Sequence, residues 1–198
     1  MAKLIFYYGA MGSGKSLRLL ATANNFEEKG IPFMCLKPYL DSRDGEYIRS
    51  RMGIERKCTL VYPDTNVYEA TRKYFEILCD KDSTLKWILV DEAQFMTSKQ
   101  INDLSRIVDD LEINVMCFGL RTDFKSNLFD GSKRLFEIAD EFEEIKSSCQ
   151  CGKKASINAR VDDNGQLILL GSQIEVGGDE KYRSMCRKCW RKLINKIN

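Results

Sequence analysis

Short apolar runs recur along the first two-thirds of the chain. Their length and their flanking turn residues predict buried strands rather than helices. The predicted strands lie at 4–8, 33–36, 58–61, 87–90 and 115–118.

Three amphipathic helices are predicted between these runs. The first spans 17–29 and ends at Gly30, a natural left-handed stop, before Pro32. The second spans 67–79, and the third begins at Thr97 or Ser98. The expected apolar faces are Val67, Ala70, Tyr74 and Ile77/Leu78 in the second, and Ile101, Leu104, Val108 and Leu111 in the third. Continuous apolar strands separated by such helices predict an α/β fold, a parallel sheet covered on both faces.

Two stretches break this alternation. Residues 38–52 carry several charges and little apolar periodicity, which predicts an exposed loop. After Ser147 the sequence predicts a hairpin from 156–161 and 166–170 around Asn164-Gly165, a polar loop over 171–183 and a short basic helix after Cys189. We therefore expect two domains, 1–147 and a C-terminal lobe of 148–198.

The segment 9–16 matches G-x-x-x-x-G-K-[ST] between the first strand and the first helix. Its glycines let successive backbone N–H groups point at phosphate oxygens, and the helix N-terminus adds a partial positive charge. The lysine would reach the β- and γ-phosphates and the serine would bind Mg²⁺. A glycine-rich turn with a chance Lys-Ser is the alternative. The proposed nucleotide-binding residues are Gly9, Ala10, Met11, Gly12, Ser13, Gly14, Lys15 and Ser16.

Two carboxylates end the strand at 87–90. Asp91 is placed to hold Mg²⁺ opposite Ser16. Adjacent strand residues face opposite ways, so Glu92 need not bind the same metal. Glu92 is placed to act on the group that attacks the γ-phosphate, which is water in an ATPase and the acceptor hydroxyl in a kinase. The dipeptide alone leaves both possibilities open.

The eight cysteines fall into two groups. Single cysteines inside apolar segments are expected to be small buried hydrophobes; they are Cys35, Cys58, Cys79 and Cys117. The other group forms C-x-C and C-x-x-C pairs around the predicted hairpin. Four thiolates satisfy tetrahedral Zn²⁺ with no open position, which predicts a structural site, with unpaired thiols as the alternative. The expected ligands are Cys149, Cys151, Cys186 and Cys189.

Composition narrows the possible functions. The formal net charge is +2, which gives no argument for a nucleic-acid or membrane partner, and no apolar run approaches the length of a membrane helix. We expect a cytoplasmic protein, since the sequence opens on a strand without a signal-peptide pattern.

Because the chain has no histidine, a general base at neutral pH is expected to be a carboxylate. The basic residues from Lys181 onward favour a solvated helix face over an RNA-binding surface.

Several motifs together resemble type II thymidine kinases, the tetrameric, zinc-containing class found in vertebrates and many bacteria. The similarity runs nearly end to end. Its most specific part is the combination of Asp-Glu-x-Gln-Phe with Gly-Gly-x-x-x-Tyr before C-x-x-C. The matching positions are 9–16, Lys37 with 41–43, 91–95, 118–124, the four paired cysteines and 176–178 with Lys181 and Tyr182.

The resemblance implies a role for each matching residue. Glu92 would be the base on the 5′-hydroxyl of thymidine, and Lys15 and Arg43 would stabilise the moving phosphoryl group. Asp41 and Gln94 would join the ATP and Mg²⁺ site. The thymine pocket would be formed by Leu120, Phe124 and Tyr182, and by a lasso loop of Gln173, Ile174, Glu175, Val176, Gly177 and Gly178.

The resemblance also implies a fold and an activity. The fold is a RecA-like P-loop NTPase sheet flanked by helices, with a small zinc-ribbon-like lobe that carries the lasso. The activity is phosphorylation of thymidine by ATP, in a homotetramer subject to feedback by dTTP. The alternatives are a RecA-like zinc-ribbon ATPase that acts on nucleic acid and a non-catalytic nucleotide-binding regulator. Because 9–16 lies outside the C-terminal lobe, zinc removal is expected to weaken nucleoside binding more than ATP binding.

Overall fold

The structure is a computed structural model, which describes residues 1–41, 44–79, 84–173 and 181–195, with the backbone alone over 77–79. The described helices are α1 (Lys15–Glu28), α2 (Val67–Cys79), α3 (Ser98–Leu111), α4 (Asp130–Ile138) and α5 (Arg187–Ile194), with a short 3-10 helix at Ala93–Phe95. The described strands are β1 (Leu4–Gly9), β2 (Phe33–Pro38), β3 (Tyr47–Arg49), β4 (Glu55–Lys57), β5 (Thr59–Val61), β6 (Trp87–Val90), β7 (Asn114–Leu120), β8 (Glu141–Glu144), β9 (Ser147–Ser148), β10 (Lys154–Ala155), β11 (Ile157–Arg160) and β12 (Tyr182–Met185).

The main sheet has six parallel strands in the order β5-β2-β6-β7-β1-β8. Alternate residues of β1 pack into two hydrophobic cores, one on each face of the sheet. Leu4 and Phe6 belong to the core that includes α2, α3 and α4, whereas Ile5 and Tyr7 belong to the core with α1. The predicted parallel sheet covered on both faces is therefore confirmed.

All five predicted strands are present, but β8 and α4 were not predicted. The sequence Glu-Phe-Glu-Glu of β8 is mostly polar because this strand lies at the edge of the sheet and is largely exposed. Helix α4 opens with Asp130-Gly131-Ser132, and its nine residues are too few for a clear helical period. Within the described ranges, the helices are too short or too polar to cross a bilayer.

Helices α2 and α3 begin at side-chain caps. Asn66 Oδ1 accepts the Glu69 N–H at 3.0 Å. Thr97 forms a reciprocal capping box with Gln100, which settles the predicted start of α3. The predicted face of α3 is confirmed, with Ile101 and Leu104 fully buried.

The predicted apolar face of α2 was only partly right. Val67 is buried as predicted, but Ala70 and Tyr74 are exposed and Thr71 is buried instead. The side chains of 77–78 lie outside the described residues. Helix α2 packs against α3, and the Val67 N–H donates to a carboxylate of α3 at 3.1 Å. The rotation of α2 is therefore set by its neighbour and not by its own most apolar stripe.

The prediction of an exposed loop over 38–52 was only partly right, because most of its described residues are exposed but others form a strand or are buried. This stretch contains β3, which pairs antiparallel with β4, and Ile48 is 1% exposed. Asp41 is buried beside Lys37, whose Nζ donates to the Tyr47 carbonyl at 2.9 Å. Charged residues can be buried here because they are paired, which a local hydropathy pattern does not reveal.

The predicted C-terminal hairpin was partly right. The turn forms at 162–165, with Gly165 at φ 78°, and Val161 bridges Leu167. The ladder partner of β11 is β12, however, which lies more than twenty residues further along the chain. The short basic helix is confirmed as α5, which begins earlier than predicted, at Arg187 inside the second cysteine pair.

Candidate active site

The segment 9–16, called the P-loop from here on, joins β1 to α1 at the carboxyl edge of the sheet. Its glycines are needed for two different reasons. Gly12 and Gly14 have φ angles of 69° and 87°, in the left-handed region that side chains disfavour. Gly9 is needed for space, because an added Cβ would lie 2.5 Å from the Ile145 carbonyl oxygen. The three glycines are therefore required by the backbone path and by the close packing of this loop.

Lys15 and Ser16 begin α1 beneath this loop. Lys15 is 7% exposed, and its Nζ donates to the Ala10 carbonyl at 3.0 Å, which holds the ammonium group over the loop. Interaction with the Ser16 side chain lowers the pKa of the Asp91 carboxyl at the end of β6, although burial outweighs this effect. Ser16 and Asp91 therefore lie close together at this edge of the sheet.

Asp91 offers a buried carboxylate oxygen to the cavity. Burial, and then the nearby Glu92 charge, raise the pKa of Asp91 to about 7. Its Oδ1 is buried and has no hydrogen-bond partner among the residues that the structure describes. A divalent cation would satisfy this oxygen and reverse the pKa shift. Asp91, Ser16 and Asp41 all line the same cavity, so these oxygen donors fit Mg²⁺.

Glu92 stands in a strained backbone conformation. Its φ of 49° is uncommon for a residue other than glycine, and it places the side chain on the cavity wall. The Gln94 side-chain NH2 donates to Glu92 Oε2. The Gln94 side-chain oxygen accepts a hydrogen bond from the Leu120 N–H at 2.9 Å. The resemblance assigned Gln94 to the ATP site. The structure places it behind Glu92, where it is 2% exposed and hydrogen-bonded to Glu92 and to the Leu120 N–H.

Two glycines let neighbouring elements pack against the 93–96 turn. A Cβ on Gly119 would lie 2.7 Å from the Gln94 side-chain oxygen. A Cβ on Gly131, at the start of α4, would lie 2.5 Å from the Ala93 carbonyl. The conformation of Glu92 is thus fixed by tight packing on both sides.

The cavity has a volume of about 380 Å³, within the range of small-molecule sites. It is lined by P-loop residues, by Asp91 and Glu92, and by the residues expected to hold the nucleoside base. The latter, as far as they are described, are Leu120, Phe124, Gln173 and Tyr182. Gln173 donates to Asp123 Oδ2 at 3.1 Å. Arg43 and 174–178 lie outside the described residues.

Arg160 contacts two of these cavity-lining residues, Phe124 and Tyr182, and was not predicted. It is 2% exposed, its guanidinium lies 4.0 Å from the centroid of the Phe124 ring, and it donates to Tyr182 Oη at 2.7 Å and 3.1 Å. It also donates to the Ser172 carbonyl at 3.2 Å. Its position on a short strand carries no motif, so only the three-dimensional packing identifies it.

The four paired cysteines meet at one point. Their sulfur atoms all lie within 4.8 Å of one another. The Cys151 and Cys186 sulfurs are 3.7 Å apart, close to the edge of about 3.8 Å that follows from Zn–S bonds of about 2.3 Å in a tetrahedron. Backbone N–H groups of Cys151 and Cys186 lower the pKa of Cys149 to about 6. The cluster therefore fits Zn²⁺.

The remaining cysteines behave as predicted where they are described. Cys35, Cys58 and Cys117 are buried, and burial raises the pKa of the Cys35 thiol to about 12. The Cys79 side chain lies outside the described residues. These thiols are therefore small core residues and not reactive groups.

A P-loop together with Asp91 and Glu92, all lining one cavity, is typical of P-loop proteins that bind a nucleotide and act on its γ-phosphate. Comparison with known proteins specifies the family. The family model described as thymidine kinase matches residues 2–190. With that match over nearly the whole length, the chain belongs to the thymidine kinase family.

Individual relatives agree with this assignment. Proteins named thymidine kinase are 43% identical in Enterobacteria phage T4, over 100% of both chains, and 44% identical in Shouchella clausii, over 96% of both. A third, from Streptococcus thermophilus, is 45% identical over 96% of this chain and 94% of its own. Among solved structures, the Pif1 helicase of Candida albicans aligns with a TM-score of 0.44 and 14% identity, over 74% of this chain and 36% of that one. That likeness is too weak to bear on function.

Proposed function

We propose that this chain is a thymidine kinase that transfers the γ-phosphoryl group of ATP to the 5′-hydroxyl of thymidine, giving dTMP. The observation that carries the proposal is the shared cavity, which the P-loop, Glu92 and the base-pocket residues Leu120 and Phe124 all line. Membership of the thymidine kinase family supports this choice of substrate. A water-activating ATPase would not need an apolar pocket for a base beside its carboxylate.

The chemistry divides among a few residues. Glu92 accepts the proton of the 5′-hydroxyl, in a chain that has no histidine for this role. The P-loop N–H groups and Lys15 stabilise the charge of the transferred group, together with Arg43 from the undescribed segment. Bound Mg²⁺ would supply further charge neutralisation, held by Ser16, Asp91 and Asp41.

Base recognition combines shape with backbone hydrogen bonds. Leu120 and Phe124 would contact the ring and its 5-methyl group, and Tyr182 would pack beside them. The segment 173–178 would read the polar edge of the thymine with its backbone, as an extended loop over the nucleoside. Specificity would then depend on the path of this segment more than on its side chains.

The proposal extends to the organisation of the protein. We place the kinase domain at 1–147 and the zinc-binding lobe at 148–198, where the cysteine cluster and its small apolar core would be stabilised by Zn²⁺. By analogy with type II enzymes, we also propose a cytoplasmic homotetramer inhibited by dTTP and involved in DNA precursor synthesis, with no nucleic-acid or membrane partner.

The activity can be tested with γ-labelled ATP and each nucleoside supplied separately. We expect labelled dTMP from thymidine and strong rejection of deoxycytidine, because its amino group would leave buried polar groups of the pocket unpaired, a mismatch that costs about 10,000-fold in favourable sites. Release of inorganic phosphate that rises with DNA or RNA, without a labelled nucleotide, would favour the ATPase instead.

We expect Arg160→Ala to raise the KM for thymidine about tenfold or more, and the KM for ATP much less. The change removes the hydrogen bonds to Tyr182 and the contact with the Phe124 ring, which arrange the base pocket. Steady-state kinetics for both substrates would measure this. The matched control is Arg183→Ala on the partner strand, which should leave both KM values near wild type. Equal rises in both KM values for Arg160→Ala would contradict a role for Arg160 in the base pocket.

A further inference from the structure

One residue of the P-loop is held from outside the loop by the C-terminal lobe. The Met11 N–H donates to Asn158 Oδ1 at 2.8 Å, and the Met11 carbonyl accepts a hydrogen bond from Ser184 Oγ. Asn158 on β11 and Ser184 on β12 are direct partners in the antiparallel ladder. Two facing side chains of the lobe therefore hold both polar groups of a single P-loop residue.

Asn158 is bound on its other side as well. Its Nδ2 donates to the Thr122 carbonyl at 3.0 Å, and the residue is 3% exposed. The orientation of the amide is unambiguous, because a backbone N–H can only donate and a carbonyl can only accept. Thr122 lies between Leu120 and Phe124 in sequence, so Asn158 links the P-loop to the wall of the base pocket.

The P-loop needs such support because its sequence leaves its backbone loosely determined. Gly12 and Gly14 give it the left-handed conformations that it requires, but glycine also has the largest conformational freedom to lose. Phosphate binding depends on N–H groups that already point inward before the nucleotide arrives. Fixing the Met11 peptide next to Gly12 restricts this freedom.

We infer that Asn158, with Ser184 as its partner, is a positioning residue that holds the P-loop in its phosphate-binding conformation and makes ATP binding depend on the C-terminal lobe. This inference rests on the proposed use of ATP. It adds a role that the P-loop motif does not contain, because the residues come from the opposite end of the chain.

The test is binding of a non-hydrolysable ATP analogue with Mg²⁺, without thymidine, measured by calorimetry. We expect Asn158→Ala to weaken analogue binding about tenfold, since the half-buried Met11 N–H and the buried Thr122 carbonyl both lose their partner. Ser184→Ala should weaken it about threefold. The double variant should show less than the product of the two effects, because both side chains act on one residue.

The controls separate this role from two others. Ser156→Ala, a neighbour whose described hydrogen bonds are made by its backbone, should leave binding unchanged. Unchanged analogue binding in both single variants, with a raised KM for thymidine in Asn158→Ala, would show that Asn158 contacts the nucleoside and would overturn the inference. If Asn158→Ala fails to fold or to retain zinc, Ser184→Ala decides alone, and wild-type affinity in it would likewise overturn the inference.

Analogue binding requires no phosphoryl transfer. A wild-type protein that binds the analogue but makes no dTMP would therefore contradict the proposed function without affecting this comparison. If Asn158→Ala and Ser184→Ala both bind the analogue with wild-type affinity, the inference is overturned and the proposed function is unaffected.

Discussion

Glu92→Gln is expected to lower kcat by about 100- to 10,000-fold while binding of ATP and thymidine is retained. Glutamine preserves the size of the side chain and can still accept the hydrogen bond from Gln94, but it cannot take up the proton of the 5′-hydroxyl. Single-turnover kinetics together with equilibrium binding of each substrate would separate the chemical step from binding.

The chain offers a matched control for this variant. Glu112, at the end of α3, is a second glutamate with a left-handed backbone, at φ 52°, and it is exposed. Glu112→Gln makes the same chemical change in the same backbone conformation and should leave kcat at the wild-type value. A Glu92→Gln variant with kcat within about threefold of wild type would rule out general-base catalysis by this residue.

The strands and the nucleotide loop were predictable because their signals are local. Buried parallel strands are continuous apolar runs, and the P-loop must place its glycines and lysine at fixed spacing. The pairing of Ser16 with Asp91 could be anticipated for the same reason, since both follow strands whose carboxyl ends share one edge of the sheet. The order of the strands was not predictable, because no local pattern records which strand lies beside which.

The errors come from contacts between elements that a local hydropathy pattern does not record. The segment that contains Asp41 and Ile48 looked exposed from its charges, yet Asp41 pairs with Lys37 of the preceding strand, whose ammonium group also donates to the Tyr47 carbonyl. The turn at Gly165 was correctly predicted, yet the ladder partner of β11 lies beyond the turn's own second arm. Arg160 and Asn158 were missed because a buried polar residue on a short strand has meaning only through the groups that it contacts.

The arrangement of the C-terminal lobe changes what zinc removal should do. The sequence suggested that nucleoside binding would be weakened more than ATP binding, because 9–16 lies outside the lobe. In the structure, Asn158 and Ser184 bind Met11, and Ser184 lies two residues before Cys186 in the cluster. Disturbing the cluster should therefore alter the conformation of the P-loop as well as that of the base pocket.

We accordingly expect Cys186→Ser to lose zinc and to lower kcat/KM by at least about 100-fold, with weaker binding of both thymidine and the ATP analogue. The apolar core of the lobe is small, and a structural Zn²⁺ contributes about 10–16 kcal/mol in isolated zinc-finger peptides, so the lobe should not stay folded without its metal. Cys58→Ala, at a buried cysteine outside the cluster, should keep one Zn²⁺ per chain and near-normal kinetics. Elemental analysis and binding of each ligand to both variants would measure this.

Two outcomes would contradict the prediction. Normal ATP-analogue affinity in a zinc-free Cys186→Ser protein would show that the P-loop holds its shape without the lobe. Full activity without zinc would show that the metal has no structural role.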